Sequence, residues 1–114
     1  MPPFFDSQFL RRLREANDIV EVINSYIPLK RAGANFKALS PFKKEKTPSF
    51  MVHPGKQIFK DFSSGHGGDV IKFVMLYENV DFMGAVRILA ERAHMPLPER
   101  GEGVGGPPSQ EESR

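Results

Sequence analysis

The chain has 114 residues, no cysteine and a formal net charge of +2, and 39% of its residues are hydrophobic. This length and apolar content fit one small domain with a modest core. The absence of cysteine excludes disulfides and thiolate metal sites. No apolar run approaches the roughly 20 residues of a membrane span, and the N-terminus lacks the pattern of a secretory signal. We therefore expect a soluble, cytoplasmic protein without a membrane partner.

The charge is distributed unevenly along the chain. Residues 28–60 contain eight basic side chains and one acidic side chain, whereas residues 1–27 contain three basic and four acidic ones and residues 61–114 five basic and nine acidic ones. A basic block between acidic flanks is typical of a surface that binds a polyanion. A lysine-rich solvated face explains the same pattern equally well.

Helices are predicted on both sides of the basic block. Asp6 is placed to cap a short first helix. A second helix is predicted to start at Asn17 and to end at Pro28, because its apolar residues recur on one helical face. Asp69 and Asp81 are placed to cap two further helices with apolar stripes.

Between the helices the sequence predicts a small antiparallel sheet. Its strands, separated by turn residues, are predicted over residues 29–31, 35–39, 49–53 and 57–62. The lysine-rich loop at residues 41–48 is too polar for a core and is predicted to be exposed. We expect residues 1–98 to form one α+β domain and the Gly-, Pro-, Ser- and Glu-rich residues 99–114 to form a flexible tail or linker.

Four segments together resemble the N-terminal zinc-binding domain of bacterial DNA primase, a CHC2-type zinc ribbon. The segments are IVEVI at 19–23, LKRAGANF at 29–36, PFKKEKTPSF at 41–50 and GGDVIKFV at 67–74. The resemblance implies an α+β fold in which a small antiparallel zinc-ribbon sheet is flanked by N-terminal and C-terminal helices. Zinc in that family is held by a Cys-x₂-His pair and a Cys-x₂-Cys pair about 17 residues apart.

At those ligand positions this chain has Ser40, Lys43, Asp61 and Ser64. An ammonium group has no free lone pair, and one carboxylate is too few donors for structural zinc. We therefore expect no zinc and no other cofactor, and a fold that forms without metal. We expect Lys43 and Asp61 to form an ion pair in place of the ion, with Ser40 and Ser64 as hydrogen-bonding neighbours.

The resemblance implies a domain that binds single-stranded template DNA and assists the initiation of RNA primers. The basic residues predicted to contact DNA phosphates are Lys30, Arg31, Lys37, Lys44, Lys46 and Lys60. Base stacking is assigned to whichever rings are exposed among Phe36, Phe42, Phe59 and Phe62. Core packing is the favoured role of Phe50, Phe62, Phe73 and Phe82.

Catalysis within this chain is not expected. Its carboxylates are scattered singly, and the sequence contains no phosphate-binding loop and no nucleophile motif. The resemblance places the catalytic domain, a DNA-directed RNA polymerase, beyond residue 114, so we interpret the chain as a primase fragment. Its expected partners are single-stranded template DNA, the primase catalytic domain in cis or in trans, and a replicative helicase. A second interpretation is a protein-interaction module that docks on the catalytic domain or the helicase and has lost DNA binding.

Overall fold

The structure, a computed structural model, describes residues 5–44 and 46–98. This part of the chain forms four helices and five strands, which confirms the predicted α+β class. In chain order the elements are α1 (Ser7–Ala16), α2 (Ile19–Tyr26), β1 (Lys30–Ala32), β2 (Asn35–Ala38), β3 (Phe50–His53), β4 (Ile58–Asp61), β5 (Gly67–Gly68), α3 (Val70–Glu78) and α4 (Phe82–Arg92). None of the described helices is long and apolar enough to cross a membrane. The predicted tail at 99–114 lies outside the described residues.

The strands form one antiparallel sheet in the order β1-β2-β3-β4-β5. Strands β1 to β4 match the four predicted runs, with each end within one residue of its predicted position. Strand β5 was not predicted, because two consecutive glycines have no side chains that could show alternation. It pairs with β4 and carries the sheet to the start of α3.

Aspartates cap the helices. The side chains of Asp6, Asp69 and Asp81 accept a backbone N–H bond from the first turn of α1, α3 and α4, as predicted. The cap of α2 is Asp18, so this helix begins later than the predicted start at Asn17. Asn17 is instead buried, and its side-chain amide donates to backbone carbonyls of α1 and α4 at 3.0 and 3.1 Å. This amide therefore joins the first helix to the last.

The core lies between one face of the sheet and the helices. Helix α3 packs on α2, on α4 and on strands β4 and β5. The most deeply buried apolar side chains are Leu13, Ile19, Val22, Ile23, Phe50, Val52, Phe59, Phe73, Val74, Val86 and Leu89. Removal of this apolar surface from water is the main favourable contribution to folding.

Two of the four phenylalanines assigned to the core are not in it. Phe50 and Phe73 are fully buried, as predicted, but Phe62 is 67% exposed and Phe82 is 41% exposed. Phe62 follows the buried Asp61, and because side chains alternate along a strand its ring points to the opposite, solvent-facing side. Phe82 is the first residue of α4, at the surface end of the helix.

The lysine-rich loop contacts the core through one residue, Phe42. Lys43, Lys44 and Lys46 are exposed, as predicted. The ring of Phe42, however, lies 5.8 Å from that of Phe73 and 5.6 Å from that of His66. The loop therefore packs a half-buried aromatic side chain against the core, which its overall polarity did not indicate.

A glutamine in the turn between β3 and β4 ties the sheet to α2. Gln57 has φ 56°, in the left-handed region. Its Oε1 accepts a hydrogen bond from the backbone N–H of Ile19 at 2.9 Å, and its Nε2 donates to the Asp18 carboxylate and to the Pro54 carbonyl, also at 2.9 Å. These bonds satisfy the first turn of α2 and fix that helix against the sheet.

Candidate functional site

The carboxylate of Asp61 lies at the centre of a hydrogen-bonded cluster. Asp61 is fully buried. Its Oδ1 accepts hydrogen bonds from the Ser63 backbone N–H at 3.2 Å and the Ser63 hydroxyl at 2.8 Å, and its Oδ2 accepts from the hydroxyls of Ser40 at 2.5 Å and Ser64 at 2.6 Å. Each oxygen accepts two bonds, which fills the capacity of an ionised carboxylate. We call these four residues the Asp61–serine cluster.

The cluster joins two turns, one after β2 and one after β4. The Ser40 hydroxyl oxygen accepts from the backbone N–H groups of Phe42 and Lys43 at 3.0 and 3.2 Å, and the Ser64 hydroxyl oxygen accepts from the N–H of His66 at 3.3 Å. Serine hydroxyls that accept from the backbone two residues ahead stabilise tight turns. Each serine thus shapes its own turn and donates its proton to the same carboxylate.

The predicted ion pair between Lys43 and Asp61 is wrong. Within the part of the chain that the structure describes, no salt bridge joins them, and the Lys43 ammonium instead donates to the Ser63 carbonyl at 3.4 Å. The carboxylate is buried and its acceptor sites are already filled, so an ammonium group would have to give up its hydration to reach it. The prediction that Ser40 and Ser64 are hydrogen-bonding neighbours of Asp61 is confirmed.

Two opposing effects set the pKa of Asp61. Burial raises the pKa, but the hydrogen bonds from Ser40, Ser64 and Ser63 outweigh it and hold the pKa of Asp61 below its ordinary value of 3.8. As the pH falls, the unfolded chain therefore takes up this proton before the folded chain does. The stability that Asp61 contributes is complete above the ordinary pKa and is lost as the pH falls through the lower, folded pKa.

A pH dependence follows for the free energy of unfolding. We expect the difference between the wild-type chain and the Asp61→Asn variant to stay constant from about pH 7 to about pH 5 and to shrink below about pH 4, where the carboxylate of the unfolded chain takes up a proton while that of the folded chain is still ionised. Urea unfolding of both proteins at a series of pH values measures this difference in the free energy of unfolding. A difference that grows towards low pH would contradict the assigned hydrogen bonds, because it would mean that the folded state favours the protonated acid.

The four positions predicted to correspond to the family's zinc ligands carry side chains whose chemistry does not suit a zinc ion. The ammonium of Lys43 cannot act as a ligand, and the hydroxyl protons of Ser40 and Ser64 are directed at Asp61, so one carboxylate is left as a donor. No group of three His, Asp or Glu side chains able to hold a metal ion occurs among residues 5–44 and 46–98.

Three of the lysines predicted to contact DNA lie in a row across the outer face of the sheet. Lys30 is paired with Lys37, Lys37 with Met51, and Met51 with Lys60. Residues directly opposite each other on antiparallel strands project from the same face, and all three lysines are exposed. We call Lys30, Lys37 and Lys60 the lysine row. Because like charges directly opposite each other are destabilising, an anion bound across Lys30 and Lys37 would relieve their repulsion.

The other predicted DNA contacts are not in this row. Arg31 belongs to the opposite face of β1, where its guanidinium lies 5.5 Å from the centre of the Phe36 ring and donates to the Gly33 carbonyl at 3.0 Å. Lys44 is exposed in the loop after β2. Lys46 lines a groove that also contains Lys30 and Lys37. The predicted set is therefore divided between the outer sheet face, its neighbouring loop and the far side of β1.

Among the candidate stacking residues, Phe62 is the most exposed to solvent. Phe59 is buried, and Phe36 and Phe42 are half-buried. The Phe62 ring lies beside the lysine row, with the Lys60 ammonium 6.0 Å from its centre. The sequence favoured a core position for the Phe62 ring, which is wrong. The sequence analysis also missed Ser63 as a partner of Asp61, although a serine two residues after an aspartate at a strand end is a pattern for an Asx turn.

Comparison with known proteins identifies relatives over most of the chain. Residues 5–103 match the family described as CHC2 zinc finger. The chain is 46% identical over 93 residues to the DNA primase of Neisseria meningitidis, which covers 82% of this chain and 16% of that protein. It is 46% identical over 106 residues to the DNA primase of Pseudomonas aeruginosa, which covers 93% of this chain and 16% of that protein.

A solved structure agrees with these relatives. The crystal structure of the Aquifex aeolicus primase, comprising zinc-binding and RNA polymerase domains, matches with a TM-score of 0.74 and 46% sequence identity over 77% of this chain and 22% of that chain. The chain spans about 16% of the length of the curated primases above. Family match, sequence identity and fold agree, so the chain belongs to the CHC2 zinc finger family of DNA primases.

Proposed function

We propose that this chain is a non-catalytic N-terminal primase domain that binds single-stranded template DNA, assists the initiation of RNA primers and folds without zinc. The observation that carries the DNA-binding role is the lysine row with Phe62 beside it. The three lysines are exposed, and Phe62 is 67% exposed.

The chemistry of this face suits a single strand. Lys30, Lys37 and Lys60 are carried by β1, β2 and β4, so they are spread over roughly 14 Å at the usual strand separation of about 4.8 Å. Such a spread allows separate phosphates to be neutralised. Phe62 offers a ring on which an unpaired base can stack, a contact typically worth about 1–3 kcal/mol whatever the base. The combination favours sequence-tolerant binding of a flexible strand.

The zinc-free part of the proposal rests on the Asp61–serine cluster. In a zinc ribbon the ion joins two turns, and in this chain hydrogen bonds to one carboxylate join them. Structural zinc in finger peptides contributes about 10–16 kcal/mol of binding free energy, more than this cluster can supply. The cap and core interactions of the four described helices supply the remainder in our proposal.

The partners follow from the family. The curated relatives are DNA primases, and the Aquifex structure joins a zinc-binding domain to an RNA polymerase domain. We therefore propose the primase catalytic domain, in cis or in trans, as a partner, with a replicative helicase as a further candidate. The alternative function is docking without DNA binding, for which Tyr77 and Phe82, 39% and 41% exposed on the helices, offer apolar contacts.

Salt dependence separates the two functions. We expect a fluorescent oligothymidylate of about 16 nucleotides to bind the chain more weakly at about 200 mM than at about 50 mM salt. If three phosphates are contacted, the logarithm of affinity should fall with the logarithm of salt concentration with a slope of about −2. Fluorescence anisotropy measures this slope. No binding at low salt, together with retained binding of the catalytic domain, would favour the docking function instead.

A further inference from the structure

A groove lies at the edge of the lysine row, between the end of α2, strand β2 and the lysine-rich loop. Its volume is about 520 Å³. Its apolar lining includes Leu39, Pro41 and Pro48, and its basic lining consists of Lys30, Lys37 and Lys46. Leu39 is 50% exposed, so an apolar surface is open to solvent between cations.

The chemistry of the groove fits one kind of ligand unit. None of its described lining residues is acidic, and its volume falls within the roughly 300–1,000 Å³ typical of small-molecule sites. A nucleotide combines a flat, largely apolar base with an anionic phosphate. Leucine and proline side chains can contact the faces of a base, while lysines hold the phosphates on either side of it.

We infer that the groove seats one unpaired base of the bound strand, an inference that rests on the proposed DNA-binding function. Lys30 and Lys37 belong both to the groove and to the lysine row, so a strand that lies along the row towards Lys60 passes over the groove opening. The base in the groove lies against Leu39, and the adjoining phosphates contact Lys30, Lys37 and Lys46. This contact depends on the base, whereas those along the row depend on phosphate alone.

An acidic peptide with one apolar side chain is the competing occupant. The lysine row argues against it, because Lys60, two strands beyond the groove, adds a cation outside it and so matches a ligand with a charge on every unit. The groove also touches the Asp61–serine cluster, since Ser40 lines the groove and donates to Asp61. A base in the groove therefore lies next to the residues that replace the zinc ligands.

The test compares a normal oligothymidylate with an abasic strand of the same length, in which every base is absent. The variant is Leu39→Ser, which removes apolar surface at a half-exposed position. The matched control is Ile58→Ser, which alters another exposed apolar residue, 36% exposed, on the same sheet face outside the groove. Leu39→Met keeps the apolar contact and serves as the conservative replacement. Urea unfolding verifies that each variant folds, and an alternating Glu-Leu peptide probes the competing occupant.

We expect Leu39→Ser to weaken oligothymidylate binding by about 5- to 10-fold, the lower end of the stacking range. Abasic-strand binding should be unchanged, and Leu39→Met and Ile58→Ser should bind like the wild type. Equal, salt-dependent binding of both strands by the wild type would overturn the base in the groove and the stacking on Phe62, and would leave DNA binding through phosphates standing. If neither strand binds, both the base in the groove and the proposed DNA-binding function are overturned. Leu39-dependent binding of the Glu-Leu peptide, with oligothymidylate binding insensitive to Leu39→Ser, would assign the groove to a protein partner.

Discussion

Replacing Asp61 with alanine is expected to lower the free energy of unfolding by about 3–4 kcal/mol, a large part of the stability of a small domain. The carboxylate accepts four hydrogen bonds in the buried Asp61–serine cluster. Bonds to a charged group contribute about 1.5–3 kcal/mol each and do not add in full. The variant also frees the turn after β2 from the turn after β4. Urea unfolding followed by circular dichroism measures the loss.

Two control variants distinguish the loss of the Asp61 hydrogen bonds from the loss of side-chain volume at Asp61 and from the loss of the Lys43 charge. Asp61→Asn keeps the shape and one acceptor oxygen, so we expect a smaller loss of about 1–2 kcal/mol. Lys43→Ala removes an exposed ammonium that makes one long bond to the Ser63 carbonyl, so we expect a change within about 0.5 kcal/mol. A loss for Lys43→Ala as large as that for Asp61→Ala would show that the lysine stabilises the buried carboxylate after all.

Neutralising the lysine row is expected to weaken binding of single-stranded DNA by about 10- to 100-fold at low salt. The variant carries Lys30→Gln, Lys37→Gln and Lys60→Gln. Each lost phosphate contact on a single strand should make the salt slope shallower by about 0.7, or about 2 for all three. Because Lys30 and Lys37 repel each other across adjacent strands, the fold should be no less stable without their charges. Anisotropy titrations at several salt concentrations measure affinity and slope together.

A charge-matched variant is the control for net charge. Lys56→Gln, Lys72→Gln and Arg87→Gln remove three exposed cations from the β3–β4 turn and the two C-terminal helices. We expect this protein to keep most of its affinity and a slope close to that of the wild type. Equal losses in the two variants would mean that DNA responds to overall charge rather than to the lysine row.

The sequence was a good guide where local chemistry decides structure. The caps at Asp6, Asp69 and Asp81 each depend on a side chain and a backbone N–H within three residues, and all three form as predicted. The strands were found because polar and apolar residues alternate in them. The glycine strand β5 was missed because it has no side chains to alternate.

The centre of the candidate site could not be predicted in the same way. Opposite charges at positions 43 and 61 suggested an ion pair, but the sequence does not show that three serine hydroxyls converge on Asp61 from two turns. Nor does it give the cross-strand register, and the lysine row exists because Lys30, Lys37 and Lys60 fall on one face in that register. Phe62 was assigned to the core from general burial statistics, whereas the inward side chain of Asp61 forces it outward.

A variant with the family's ligands provides a positive control for metal binding. It carries Ser40→Cys, Lys43→His, Asp61→Cys and Ser64→Cys, which restores the Cys-x₂-His and Cys-x₂-Cys pairs at these positions. We expect it to bind one zinc ion per chain and to become sensitive to chelators, because a thiolate and imidazole donor set holds structural zinc. Failure to bind zinc would mean that the two turns of this chain are not spaced for a tetrahedral ion.

The most direct test of metal-independent folding is the urea midpoint of the unaltered chain with and without a strong zinc chelator, paired with elemental analysis of the same sample. We expect no stoichiometric zinc and the same midpoint in both conditions, because the Asp61–serine cluster joins the two turns by hydrogen bonds alone. One zinc ion per chain, with a midpoint that falls when the chelator is added, would contradict metal-independent folding.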